Sequence, residues 1–160
     1  MNFEVIISKP LCLSLHWESD SIAAIGLDWA GPDAPSGPEP TSRYGRALAQ
    51  TLTRYLTGER VEWPELPLAM DGLTPFRRDV SETLAKDVRH GQLTTYGQLA
   101  SLVGRPGAAR AVGRVMATNP WPLVVPCHRV IGAGGNLTGF GPGIAMKKFL
   151  LDLEQTSQSG

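Results

Sequence analysis

The chain has 160 residues, 42% of them apolar, and 15 basic residues balance 15 acidic ones. That length fits one large domain or two small ones, and the apolar share supplies a core. No apolar run reaches the ~18 residues of a membrane span. The first residues lack the basic start and cleavage site of a signal peptide, and two cysteines make no disulfide framework, so a reducing, cytoplasmic setting away from membranes is expected.

The charge balance is uneven along the chain. Residues 1–87 hold 8 Lys+Arg against 13 Asp+Glu, whereas residues 88–151 hold 7 Lys+Arg and no acid. Such a run is either compositional drift or a face that meets a polyanion such as nucleic acid phosphate.

In chain order, "FEVIIS" (3–8), "LCLSLHW" (11–17) and "SIAAIGLDW" (21–29) read as antiparallel strands, rich in Val, Ile, Leu and aromatics and broken by turn residues. "GPDAPSGPEP" (31–40) reads as an exposed loop. Helical spacing of Leu48, Leu52, Tyr55 and Leu56 predicts a helix within 41–58, stopped by Gly58. An irregular connection covers 59–73. A second helix follows, with Thr74 as N-cap, Pro75 at its first position and Gly91 beyond its end. Phe76, Val80, Leu84 and Val88 form its core face.

"TTYGQLASLVG" (94–104) carries a capping box of Thr95 and Gln98, with Gly104 as a stop. "RPGAARAVGRVMATNP" (105–120) predicts another short helix ending at Asn119-Pro120. Two short helices joined by a tight glycine turn are either a helix-turn-helix or an ordinary helical hairpin. The second holds Arg110 and Arg114 among Ala109 and Gly113, small residues that permit close approach to DNA. "WPLVVP" reads as a short strand or extended segment, and the glycine-rich 132–143 as a loop whose amides can approach a ligand. A last helix over 144–155 is expected to bury Ile144, Phe149, Leu150 and Leu153.

Between these lies "VVPCHRVIG" (124–132). Cys127 lacks the spaced partners of a zinc site. It is either an inert buried thiol or a nucleophile. Flanking prolines, His128 and Arg129 favour a thiol held near solvent with an enlarged thiolate share.

"PCHRVIG", with "TTYGQLA" and "ARAVGRVMATNP" before it and "GNLTGFGPGIAMKKFLLDLE" after it, resembles the C-terminal domain of the O6-alkylguanine-DNA alkyltransferases. The resemblance runs from about Phe76 to Glu154. It implies an α+β protein with a ribonuclease-H-like α/β domain and short antiparallel sheet over 1–73. A mostly helical, winged-helix-like domain with a helix-turn-helix would cover 74–160.

It further implies an irreversible, single-turnover transfer of the alkyl group from O6 of guanine to Cys127. His128 would take the thiol proton through a water, Glu154 would orient His128, and Asn119 would brace the cysteine turn. The base must be flipped out of the duplex. Arg110 would fill the gap, and Tyr96 would aid flipping and bond the guanine. Carbonyls of Cys127 and Val130 and the Thr138 amide would read the base, with Arg129 beside them. The DNA face would comprise Thr95, Ala109, Arg110, Gly113 and Arg114 and would sit in the minor groove. The partner implied is double-stranded DNA containing O6-alkylguanine, bound by a monomer without cofactor.

Some relatives carry a zinc site of two Cys and two His near the N-terminus. Cys12 and His16 are not the full set, so no metal is expected. Leu137 stands where some relatives have a pocket Tyr, which leaves the preference for bulky alkyl groups open. A non-catalytic binder of alkylated DNA would lack the cysteine of PCHR.

Overall fold

The computed structural model describes residues 2–35, 37 and 39–157. Strands β1 (Asn2–Ser8), β2 (Leu11–Glu18) and β3 (Ser21–Trp29) form an antiparallel meander in the order β1-β2-β3. Alternation places Leu11, Leu13 and Leu15 of β2 on the buried face. The pairing shifts between His16 and Trp17, which face Ala24 and Ile22. The extra residue in β3 lets Ile22 and Ile25, three apart, both point into the core.

Helix α1 (Arg43–Leu56) lies against the sheet through Leu48, Leu52 and Tyr55. Ser42 caps it by accepting from the Gly45 amide. Glu4 of β1 accepts from the Thr41 and Ser42 amides and the Ser42 hydroxyl at 2.6–2.9 Å, which ties the helix start to the sheet. The expected loop over 31–40 shows no regular structure where it is described; its positions 36 and 38 lie outside the described residues.

Helix α2 (Pro75–Asp87) has the expected Thr74 cap and proline start. Short strand β4 (Thr94–Thr95) leads into α3 (Tyr96–Leu102), whose Thr95–Gln98 capping box is formed. A turn through Gly104, at φ +76°, reaches α4 (Ala109–Ala117). Cys127–Arg129 make a single 3-10 turn before β5 (Val130–Ile131), which pairs in parallel with β4. Helix α5 (Ile144–Gln155) closes the fold. The result is a mixed helix and sheet protein with a small antiparallel sheet.

One hydrophobic cluster runs from Ile6 to Leu150 through both halves. The outer edge of β3 is not left open. Ile22 donates to Pro67 O and accepts from the Ala69 amide, Ile25 donates to Pro120 O, and the Trp121 indole donates to Ile22 O. These bonds fix Pro120 and Trp121, and with them the approach to Cys127.

Two sequence expectations fail here. Residues 121–126 are buried turns rather than a strand, with Leu123 at φ +80°; they are apolar because they fill the core. In α5, Ile144 is exposed, and the buried side is Met146, Lys147, Leu150, Leu151 and Glu154. Two of those five are charged, so an apolar periodicity could not find that face.

Candidate active site

Cys127 lies at the start of the 3-10 turn, 7% exposed. Asn119, just past α4, reaches it: Nδ2 donates to Cys127 Sγ at 3.1 Å and to Val125 O at 2.9 Å, and Oδ1 accepts from the Trp121 amide. Asn119 therefore braces the turn and also donates to sulfur. Burial pushes the Cys127 thiol above its ordinary value, opposed by the Asn119 amide and the Lys147 charge. The expected solvent-near thiol with an enlarged thiolate share is thus corrected: the enclosure that shields sulfur disfavours its anion. Ionisation therefore needs a base nearby.

His128 is fully buried. Its Nε2 donates to Glu154 Oε2 at 2.6 Å, and its Nδ1 is buried without a protein partner. Burial pushes the imidazole below its ordinary value despite the Glu154 carboxylate. A neutral ring that spends its Nε2 proton on a carboxylate presents a lone pair at Nδ1. Burial alone would raise the Glu154 carboxyl, but His128 and Arg129 outweigh it and hold the group well below the usual carboxylate range.

Glu154 gathers four donors. Oε2 accepts from His128 and from the Tyr55 hydroxyl, also at 2.6 Å; Oε1 accepts from Arg129 Nε at 2.7 Å and the Gly91 amide at 3.4 Å. The resemblance implies Arg129 beside the substrate. It is instead 3% exposed and turned inward, with its other nitrogen donating to Val88 O at 2.8 Å. A buried guanidinium needs a buried anion, and Glu154 supplies one.

Lys147 precedes Glu154 by two helical turns on the same side of α5. It is 1% exposed and donates to Val130 O at 2.7 Å and Thr138 O at 3.3 Å. The Thr138 hydroxyl meets that of Tyr96. At Gly132 an added Cβ would come within 3.1 Å of Thr138 Cγ2, so glycine lets the loop fold close to β5. Three bonded groups, Tyr96 with Thr138 and Val130 through Lys147, Asn119 with Cys127, and His128 with Glu154, thus meet along the single turn Cys127–Val130. Tyr55 and Lys147 are members that sequence reasoning missed. The seven-residue spacing of Lys147 and Glu154 signals a shared face; the helical spacing of Tyr55 marks it only as core.

Arg110 and Arg114 lie exposed on α4, away from this network. Ala109 opens the helix, and Gly113 faces the Tyr96 ring, its missing Cβ 3.9 Å from it. The Thr95 hydroxyl is occupied as the α3 cap. The acid-free run is not a uniform basic face. Arg129 and Lys147 are buried, Arg89 pairs with Glu62, and Lys148 pairs with Asp152. Among the described residues Arg105, Arg110, Arg114 and Lys147 of the seven make no ion pair within the fold, and of these four only Lys147 is buried. The acids that neutralise the others lie outside the run in sequence and near it in space. Among the described residues no cluster of three His, Cys, Asp or Glu side chains could hold a metal, and no helix is long and apolar enough to cross a membrane.

Fold and site define a protein with a shielded cysteine next in sequence to a buried His–Glu pair, and with two short helices joined by a tight turn. The family described as 6-O-methylguanine DNA methyltransferase, DNA binding domain, matches residues 75–156. A methylated-DNA–protein-cysteine methyltransferase of Shigella flexneri is 48% identical over 104 residues, 65% of this chain and 60% of that protein. One from Methanosarcina acetivorans is 42% identical over 111 residues, 69% of each chain. A crystal structure of Mycobacterium tuberculosis OGT in complex with DNA superposes with a TM-score of 0.79 at 32% identity, covering 99% of this chain and 95% of that one. This chain belongs to the O6-methylguanine-DNA methyltransferase family. It spans about 60% of the length of the enterobacterial relatives it matches.

Proposed function

We propose that this protein repairs DNA by moving the alkyl group from O6 of guanine onto its own Cys127. One observation carries the reading: a shielded, protonated thiol stands next in sequence to an imidazole whose Nε2 is committed to Glu154 and whose Nδ1 is free to take a proton. The thiol proton passes to Nδ1, through a water, and the resulting imidazolium is paired with Glu154. Asn119 Nδ2 and the Lys147 charge steady the thiolate. Sulfur attacks the alkyl carbon, the S–C bond forms as the C–O6 bond breaks, and the electron pair leaves on guanine, which regains a proton. No group in the site reverses a thioether, so each molecule acts once.

We read α3 and α4 as a helix-turn-helix in a winged-helix-like unit, residues 74–160, with residues 1–73 as a ribonuclease-H-like partner domain. The β4–β5 ladder behind the helices, and the meander with α1 on it, support this division. A monomer would place α4 in the minor groove, with Arg110 filling the gap of the flipped base and Arg114, Ala109, Gly113 and Thr95 along the backbone. Tyr96, Val130 and the Thr138 amide would hold the guanine. A reducing, cytoplasmic setting suits a reaction that needs Cys127 as a thiol.

The test mixes the protein with a duplex containing O6-methylguanine and measures intact and peptide mass. One methyl group is expected on the peptide holding Cys127, with stoichiometric loss of activity. No transfer, or transfer to Cys12, would overturn the proposal.

A further inference from the structure

We propose that Tyr55, carried by the N-terminal half of the chain, is a positioning residue for the alkyl-acceptor relay: its hydroxyl fixes the Glu154 oxygen that accepts the hydrogen bond from His128. The inference rests on the alkyl-transfer reading and adds to it a part for residues outside the matched family domain.

Tyr55 is completely buried on the inner side of α1, 99 residues from Glu154 in sequence. Its hydroxyl and His128 Nε2 both lie 2.6 Å from Glu154 Oε2. The terminal torsion of a glutamate is broad. Arg129 and the Gly91 amide hold Oε1 and leave the carboxylate free to swing about that anchor. A second donor on Oε2 removes that freedom and keeps the oxygen on the His128 nitrogen.

A tyrosine suits the task for two reasons. Burial and the neighbouring carboxylate push its phenol well above the ordinary value, so it stays a donor at all working pH values. It is also neutral, and so does not repel the imidazolium formed when His128 takes the thiol proton; a lysine would. Its ring is set by Trp63 at 5.0 Å and His90 at 5.5 Å, so the hydroxyl cannot drift.

The test is Tyr55→Phe, which keeps the ring and deletes only the donor, read in two ways. First, the rate constant for methyl transfer from lesion-bearing duplex should fall about tenfold, while the Kd for that duplex stays within twofold, because Tyr55 is remote from the surface. Second, in nitrogen-15 spectra of His128 the Nε2–H signal should broaden and exchange faster, with a new population protonated at Nδ1. A role in packing alone would lower Tm and leave that tautomer ratio unmoved. Site-specific 3-fluorotyrosine at position 55, a stronger donor with the ring retained, should move the Nε2 proton upfield and keep the transfer rate within twofold; it also serves if Tyr55→Phe does not fold. A wild-type rate and tautomer ratio in Tyr55→Phe, or an unmoved proton with fluorotyrosine, overturns the proposal. If wild-type protein transfers no methyl group, the alkyl-transfer reading fails, and the His128 spectra still decide whether Tyr55 positions Glu154.

Discussion

Arg129→Met is expected to destabilise the protein by about 3–5 kcal/mol, because it leaves a buried carboxylate without its permanent counter-charge. Arg129 is 3% exposed and bonds Glu154 at 2.7 Å and Val88 O at 2.8 Å. Charge centres about 4 Å apart interact by about 4 kcal/mol at an effective dielectric of about 20, which agrees with that range. A domain of this kind has only about 5–15 kcal/mol in total. The pH dependence follows from Glu154. Its folded carboxyl is held below the usual range, by His128 and Arg129 against the effect of burial. The stability it contributes is therefore present above the unfolded carboxylate value and is lost as pH falls toward the folded one. In the variant the folded value rises, so the gap to wild type should be widest near neutrality and narrow as Glu154 protonates in both proteins. Urea unfolding at pH 7 and at successive steps below pH 5 measures this. A loss under about 1 kcal/mol at pH 7, as for an exposed ion pair, or a gap that widens on acidification, would refute the reasoning.

Asn119→Ala should raise the Cys127 thiol further, since it removes a donor to sulfur at 3.1 Å, and should slow iodoacetamide modification at fixed pH; unchanged reactivity would count against the N–H···S contact. Arg110→Ala should slow repair in duplex far more than reaction with free O6-benzylguanine, measured side by side; equal losses would remove Arg110 from base flipping. Gly45→Ala should cost about 1–3 kcal/mol in urea unfolding, because a Cβ there would lie 2.8 Å from Glu4 Oε2 and 2.9 Å from Pro40 Cβ. Methylation of Cys127 should lower Tm, because the added group must fit a site that is 7% exposed and already filled by Asn119; an unchanged or higher Tm would refute this.

The elements of this chain were legible wherever local chemistry decides them. Thr74-Pro75, Thr95 with Gln98, and Gly104 mark helix ends by hydrogen bonds and dihedral angles that span a few residues. The meander is legible because β2 alternates between buried and half-buried positions from Leu11 to His16. Residues 121–126 were misread because burial and β pairing both select apolar side chains, and only the tertiary fold tells them apart. The site divides along the same line. Cys127, His128 and Asn119 stand close together in sequence, and their motif marks them. Arg129 belongs to that motif too, yet its direction is set by where Glu154 arrives, which no local pattern encodes. Lys147 and Glu154 share a buried side of α5 that hydrophobic periodicity assigns to solvent, because it counts charge as exposure. Tyr55 was hidden for the opposite reason: an aromatic at helical spacing is read as packing, and its hydroxyl gains meaning only when a segment 99 residues away brings a carboxylate to it. The residues least visible in the sequence are those whose polar groups are buried on partners distant along the chain. In this protein they are the ones that fix the carboxylate on His128 and the strand that follows it.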